Sequence, residues 1–165
     1  MGSIESYFRF EGYKIDRIFY ETIPHVDFLV VKANLPSEGW KTEIGIRQPA
    51  FFKGTKQYVG GLDITLNYPN PKVQKAGAIV EIGQLQDIVK LSIGISGVFT
   101  VEEGRFEKAI EESLVKIQIP ALLFPYLRSA ITSILAHAGL GSVLFPLINI
   151  QELAKNANLM ITEME

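Results

Sequence analysis

The 165-residue chain has no cysteine, two histidines and a single tryptophan. Without cysteine there is no disulfide framework, no thiol nucleophile and no cysteine-based zinc site, and the chain fits a reducing compartment such as the cytoplasm. His25 and His137 stand far apart and lack the His-x-x-x-His or Glu-x-x-His spacing that holds zinc or a di-iron centre on a helix. Charge of one sign is missing as well. The 16 Lys+Arg against 18 Asp+Glu leave a net charge of −2, so no basic excess exists to neutralise phosphates, and nucleic acid is not an expected partner. There is no Gly-Lys-Ser/Thr phosphate loop, and Gly139-Leu140-Gly141 lies between helical patterns instead of after a strand. Glu102, Glu103, Glu107, Glu111 and Glu112 supply carboxylates on the solvated side of a helical pattern, where nothing apolar raises a pKa. No catalytic residue, metal or cofactor is therefore predicted, and the chain does not read as an enzyme.

Residues Met1 to Tyr13 carry Glu5, Arg9 and Glu11 and lack a basic segment followed by an apolar one, so no secretory signal is predicted. The membrane-like stretch Ser129 to Gln151 is interrupted by Gly139, Gly141 and Pro146. It reads as two packed elements joined by a glycine turn, without stable membrane insertion.

What the chain has is apolar content, 47% of residues, enough for one core in a single domain over residues 1–165. Tyr13 to Tyr20 predicts a strand whose alternation slips once around Asp16 and Arg17. Phe28 to Leu35 and Ala78 to Ile88 are further strand candidates. Leu62, Ile64, Leu66 and Tyr68 alternate with Asp63, Thr65 and Asn67, and Leu91, Ile93, Ile95, Phe99 and Val101 give the longest strand signal. Gly97 falls in its apolar register, marking a bulge or a close backbone approach. After Val101 the period changes to three or four: Phe106, Ala109, Ile110, Leu114 and Ile117 form one helical stripe, and Leu127, Ile131, Ile134, Leu135 and Ala138 a second that starts near Pro120 and Pro125 and stops at Gly139. Asn149 with Glu152 suggests a capping box for a last helix carrying Leu153, Ala157, Met160, Ile161 and Met164. Strands first and helices last make the fold α+β.

The run Leu123-Phe124-Pro125-Tyr126-Leu127-Arg128, with Ile131-Thr132-Ser133 behind it and Phe145-Pro146-Leu147-Ile148-Asn149-Ile150 after Gly139, closely resembles the SecB export-chaperone family. Tyr13-Lys14-Ile15-Asp16-Arg17-Ile18 is similar to that family's first strand and Ile95-Ser96-Gly97-Val98-Phe99 to its fourth. The resemblance implies a four-stranded antiparallel sheet followed by a connecting helix and a long C-terminal helix, assembled as a homo-oligomer, dimer or tetramer, with Trp40 to Tyr58 as the crossover loop between the first two strands. It also implies an ATP-independent holdase that binds unfolded polypeptides in apolar grooves, which needs no catalytic residue.

Aromatic side chains give a holdase large contact area at small entropic cost. Trp40, Phe51, Phe52 and Tyr58, near Gly and Pro, and Phe145, Leu147 and Ile150, before the last helix, are the expected client-binding residues. Leu123, Phe124, Pro125 and Tyr126 are assigned to structure, with Arg128 pairing a carboxylate across an interface. In export-dedicated members acidic residues on the outer sheet face receive the SecA motor. The matching positions here are Thr22, Val26, Lys90 and Ser92, none acidic, so SecA as a partner is in doubt unless Glu21 or Asp87 compensates by a one-residue slip. Some SecB-like proteins protect an antitoxin instead, and the divergence is compatible with a client-dedicated chaperone of a toxin-antitoxin system. The alternatives are a protein-binding module without chaperone activity and a carrier of a small apolar ligand.

Overall fold

A computed structural model of the chain describes residues 7–22, 39–69, 87–140 and 148–165. The cleanest period of two in the sequence becomes the central strand β4 (Gln57–Tyr68), with Leu62, Ile64, Leu66 and Tyr68 buried and Asp63, Thr65 and Asn67 on the wetter face. β5 (Val89–Val101) pairs with it antiparallel and buries Leu91, Ile93, Ile95 and Phe99. β1 (Phe8–Thr22) pairs antiparallel with the far edge of β5, with register shifts between Phe10 and Gly12 and between Ile15 and Arg17. The second shift is the slip read from the sequence. Asp16 is the extra residue, and both it and Arg17 reach the outer face, where they meet Arg47, Ser96 and Ser92.

The expected crossover loop is corrected by the structure. Residues 40–58 form β2 (Lys41–Ile46), β3 (Ala50–Phe52) and the start of β4. Thr42, Ile44 and Ile46 alternate with Lys41, Glu43 and Gly45, but over six residues and only half-buried, so the signal is weak beside the neighbouring Gly and Pro. β2 takes the edge of β4 along Leu62–Asn67, and β3 takes it along Gln57–Val59. A last strand, β6 (Thr162–Met164), runs parallel to β3. The described residues thus build a six-stranded sheet, β1-β5-β4-β3-β6 with β2 also on β4, larger than the four strands expected. The expected strands over residues 28–35 and, apart from Asp87 and Ile88, 78–88 lie outside the described residues.

The helices differ from expectation in order and length. α1 (Lys108–His137) is one 30-residue helix that runs through Pro120 and Pro125, where two helices were expected. Each interior proline costs about 3 kcal/mol. The row Val115, Ile119, Leu123, Leu127, Ile131 and Leu135 keeps one buried face in phase across both. At about 1.5–3 kcal/mol per buried side chain that row outweighs the two prolines. The helix packs on β4 and β5 where Gly60 and Gly97 are paired: a Cβ on Gly60 would lie 2.5 Å from Ile119 Cγ2, and one on Gly97 2.7 Å from Leu123 Cδ2. Close approach is therefore the role of Gly97. Gly139, at φ 84°, ends α1 as read from the sequence, with the Gly139 N–H on the Ala136 carbonyl and the Leu140 N–H on the Leu135 carbonyl.

The expected long terminal helix is only seven residues, α2 (Ile150–Asn156). Its cap is the one foreseen: Asn149 Oδ1 accepts from the Glu152 N–H at 3.1 Å and Asn149 Nδ2 donates to Glu152 at 3.2 Å. Asn156 and Asn158 are poor helix formers. Beyond them Gln48 takes the backbone, accepting from the Met160 N–H and donating to the Asn158 carbonyl, and the chain turns to the sheet edge as β6.

Candidate functional site

Two apolar grooves meet at Val101, at the end of the sheet covered by the first half of α1. One, about 340 Å³, is lined by Tyr7, Phe8, Phe106, Leu114, Gln118 and Leu122. The other, about 290 Å³, is lined by Phe51, Lys53, Lys56, Tyr58, Glu103 and Glu111. They form where β1 begins at Phe8, β4 begins beside Tyr58 and β5 ends at Val101, with the first half of α1 supplying Leu114, Gln118 and Leu122 to one wall. Phe51 and Tyr58 pack with their rings tilted, 4.7 Å between centroids, and the Tyr58 hydroxyl donates to Glu111 at 2.5 Å. Burial, then that hydrogen bond, pushes the Tyr58 hydroxyl pKa far up, so it stays a donor. Lys53, Lys56 and Glu103 rim the second groove, with Lys56 on Glu103 at 2.6 Å. Such a surface takes apolar side chains in its floor and solvated backbone at its rim.

The structure divides the expected binding residues. Phe51, half-buried Phe52 and Tyr58 gather at this end. Trp40 lies at the opposite end of β4, edge-on to Tyr68 at 5.2 Å, packed against the core with its indole N–H buried and without an acceptor among the described residues. Tyr58 and Tyr68 are ten residues apart along one strand, about 33 Å, so Trp40 and Phe51 cannot serve one short segment. Ile150 is buried in the core at the start of α2. Phe145 and Leu147 lie outside the described residues. The sequence reading missed Tyr7, Phe8, Phe106 and Leu122. The Phe8-Arg9-Phe10 alternation was a signal for Phe8, but grooves at strand ends depend on where the helix starts.

A second exposed apolar surface runs along β1, a long edge strand of the sheet among the described residues. Tyr13, Ile15, Ile18 and Phe19 are exposed, and Tyr126 of α1 lies over Tyr13 at 4.5 Å. Leu123 and Phe124 are buried, whereas Pro125 and Tyr126 face outward and Arg128 makes no ion pair among the described residues.

The outer sheet face is polar and internally neutralised. Arg47 lies across Gly61 and Gly94, donating to Asp63 at 2.7 and 2.8 Å and to Asp16 at 2.6 Å. Ser96 also donates to Asp16, at 3.0 Å, and Arg17 lies 3.5 Å from Asp63. The Arg47 hydrogen bonds hold the Asp63 carboxyl below its ordinary pKa. At Asp16 partial burial opposes ionisation, but the bonds from Arg47, Ser96 and Lys14 outweigh it and its pKa is lowered too. Lys90 and Ser92 sit on this face, with Lys90 in register with Glu21. Among the described residues it offers no unpaired acidic cluster to a basic partner. Among the described residues no group of three or more His, Asp or Glu is gathered as a metal site requires.

The family model described as "Preprotein translocase subunit SecB" matches residues 80–158, across β5, α1 and α2. An uncharacterized protein of Methanocaldococcus jannaschii is 31% identical over 101 residues, 58% of this chain and 64% of that relative's length. Among solved structures, a SecB-like chaperone of Mycobacterium tuberculosis, in complex with a ChAD peptide from the HigA1 antitoxin, superposes with a TM-score of 0.56 at 13% identity, covering 86% of this chain and 91% of that one. At that identity the likeness is one of fold.

Proposed function

We propose that this chain is a divergent SecB-like protein acting as an ATP-independent holdase, binding unfolded polypeptide in the paired grooves around Val101. The observation that carries the reading is an apolar, aromatic-lined surface left open by a SecB-like fold. A buried side chain contributes about 1.5–3 kcal/mol, so several must engage at once to offset the ordering of a flexible client. Long unfolded segments are therefore the substrate, and folded proteins are not. The exposed apolar edge of β1 with Tyr126 supports assembly through that edge as a homo-oligomer, since a long exposed strand edge is otherwise an aggregation hazard. The absence of cysteine supports work in the cytoplasm.

A client-dedicated role is favoured over delivery to SecA by the outer face, where Asp16 and Asp63 are already paired to Arg47 and the neighbouring position is Lys90. The SecB-like neighbour of similar fold holds an antitoxin peptide, which makes an antitoxin the first dedicated client to try.

The test is titration with one polypeptide in permanently unfolded and in folded form, followed by calorimetry and light-scattering mass. Binding of the unfolded form alone, weakened about tenfold or more by Phe51→Ala with Phe52→Ala, is expected. Equal binding of both forms, or of neither, overturns the holdase.

A further inference from the structure

We propose that the chain's own strand β6 occupies a strand-accepting edge of the client site, and that a client segment binds by displacing it. The inference rests on the holdase reading and deepens it. β3 presents one edge to β4 and the other to β6, so its outer backbone groups are shown to accept an extended segment in parallel register, with Ala50, Phe51 and Phe52 opposite Thr162, Glu163 and Met164. Adjoining bonds run from the Thr162 N–H to the Pro49 carbonyl at 2.9 Å and from the Lys53 N–H to the Met164 carbonyl at 3.0 Å.

The occupant is held lightly. All three residues of β6 are exposed, and the preceding Ile161 is only half-buried against the core. Its central side chain, Glu163, is held by surface ion pairs to Lys53 at 2.9 Å and Lys108 at 3.1 Å. Such a strand lies at the low-stability end of the fold and opens more readily than β4 or β5. What it covers adjoins the groove of Phe51, Lys53 and Tyr58, so a segment seated on β3 would run directly beside that groove. Main-chain pairing supplies sequence-tolerant affinity and alternate side chains supply preference. The sequence of β6 states that preference: an apolar residue at the position of Ile161, an acidic one between Lys53 and Lys108, an apolar one at the position of Met164. The substrate class is an extended apolar segment carrying an isolated acidic residue.

Occlusion has a measurable size. A strand that holds the edge for about nine-tenths of the time weakens apparent client affinity by about tenfold. Two variants of the full chain move it in opposite directions. Thr162→Pro removes the donor to the Pro49 carbonyl and should tighten binding of a permanently unfolded polypeptide by up to about tenfold. Ala50→Cys with Thr162→Cys, introduced into a chain that has no other cysteine, ties β6 to β3 when oxidised. The oxidised form should lose most of its client affinity and regain it on reduction. Unchanged affinity in Thr162→Pro, together with equal affinity of the oxidised and reduced double variant, overturns the displacement and leaves the holdase standing. Absence of binding by the unaltered chain and by every variant overturns the holdase, and this inference with it.

Discussion

Gly60→Ala is the sharpest test of how α1 meets the sheet. The added methyl would lie 2.5 Å from Ile119 Cγ2, 3.2 Å from its Cδ1 and 3.5 Å from its Cβ. Ile119 is 1% exposed and cannot swing away. Overpacking of this kind costs about 1–3 kcal/mol, offset by about 0.5–1 kcal/mol because alanine has less freedom to lose in the unfolded chain, so a net loss of about 1–2 kcal/mol is expected. Ile119→Ala alone opens a cavity and should cost about 2–5 kcal/mol. It also removes the two atoms closest to the new methyl and leaves only the Cβ at ordinary contact distance. In the Ile119→Ala background, therefore, Gly60→Ala should cost nothing or recover stability, giving a coupling of about 1–3 kcal/mol in the double-mutant cycle. Urea unfolding at fixed protein concentration, followed by far-ultraviolet circular dichroism and Trp40 fluorescence, measures it. An equal cost of Gly60→Ala in both backgrounds would refute the contact.

Arg47→Leu removes the cation shared by Asp16 and Asp63. Because both carboxyls have lowered pKa values in the folded state, their stabilisation is complete above the unfolded value of about 3.9 and is lost as pH falls through the folded values. The variant should be less stable by about 1–2 kcal/mol near neutrality, a figure reduced for the partial exposure of the group. The gap to the unaltered chain should close below pH 3.8, and a gap that is constant or widens at low pH in denaturant titrations counts against it. Asn149→Ala should cost about 1 kcal/mol through the lost α2 cap, and Asn149→Ser, which keeps an acceptor, less than half of that; identical midpoints for the two variants would show that the cap is idle.

The strands with a clear period of two, β4 and β5, were legible because a sheet face buried on one side imposes that period on its residues. So were the bulge at Asp16, the stop at Gly139 and the Asn149 cap, each set by a few adjacent residues. The Leu123 to Arg128 run carried the family resemblance. β2 and β3 were not legible, since short half-buried strands leave a faint pattern that Gly and Pro override in a local reading. Of the expected binding residues, Phe51, Phe52 and Tyr58 come together because β3 folds back on β4. Trp40 is carried to the other end by the length of the same strand.

By itself the sequence determined an α+β chain, strands first and two apolar helical stripes after them, because composition and periodicity are local properties. Tertiary structure decided the rest. It kept α1 continuous through two prolines because burial along the whole face exceeds their local cost. It neutralised the outer face by laying Arg47 over Gly61 and Gly94, and it turned Thr162–Met164 from an expected helix into an edge strand because β3 had an unpaired edge to offer. Each of these is an energy shared between segments far apart in sequence, which no window along the chain contains.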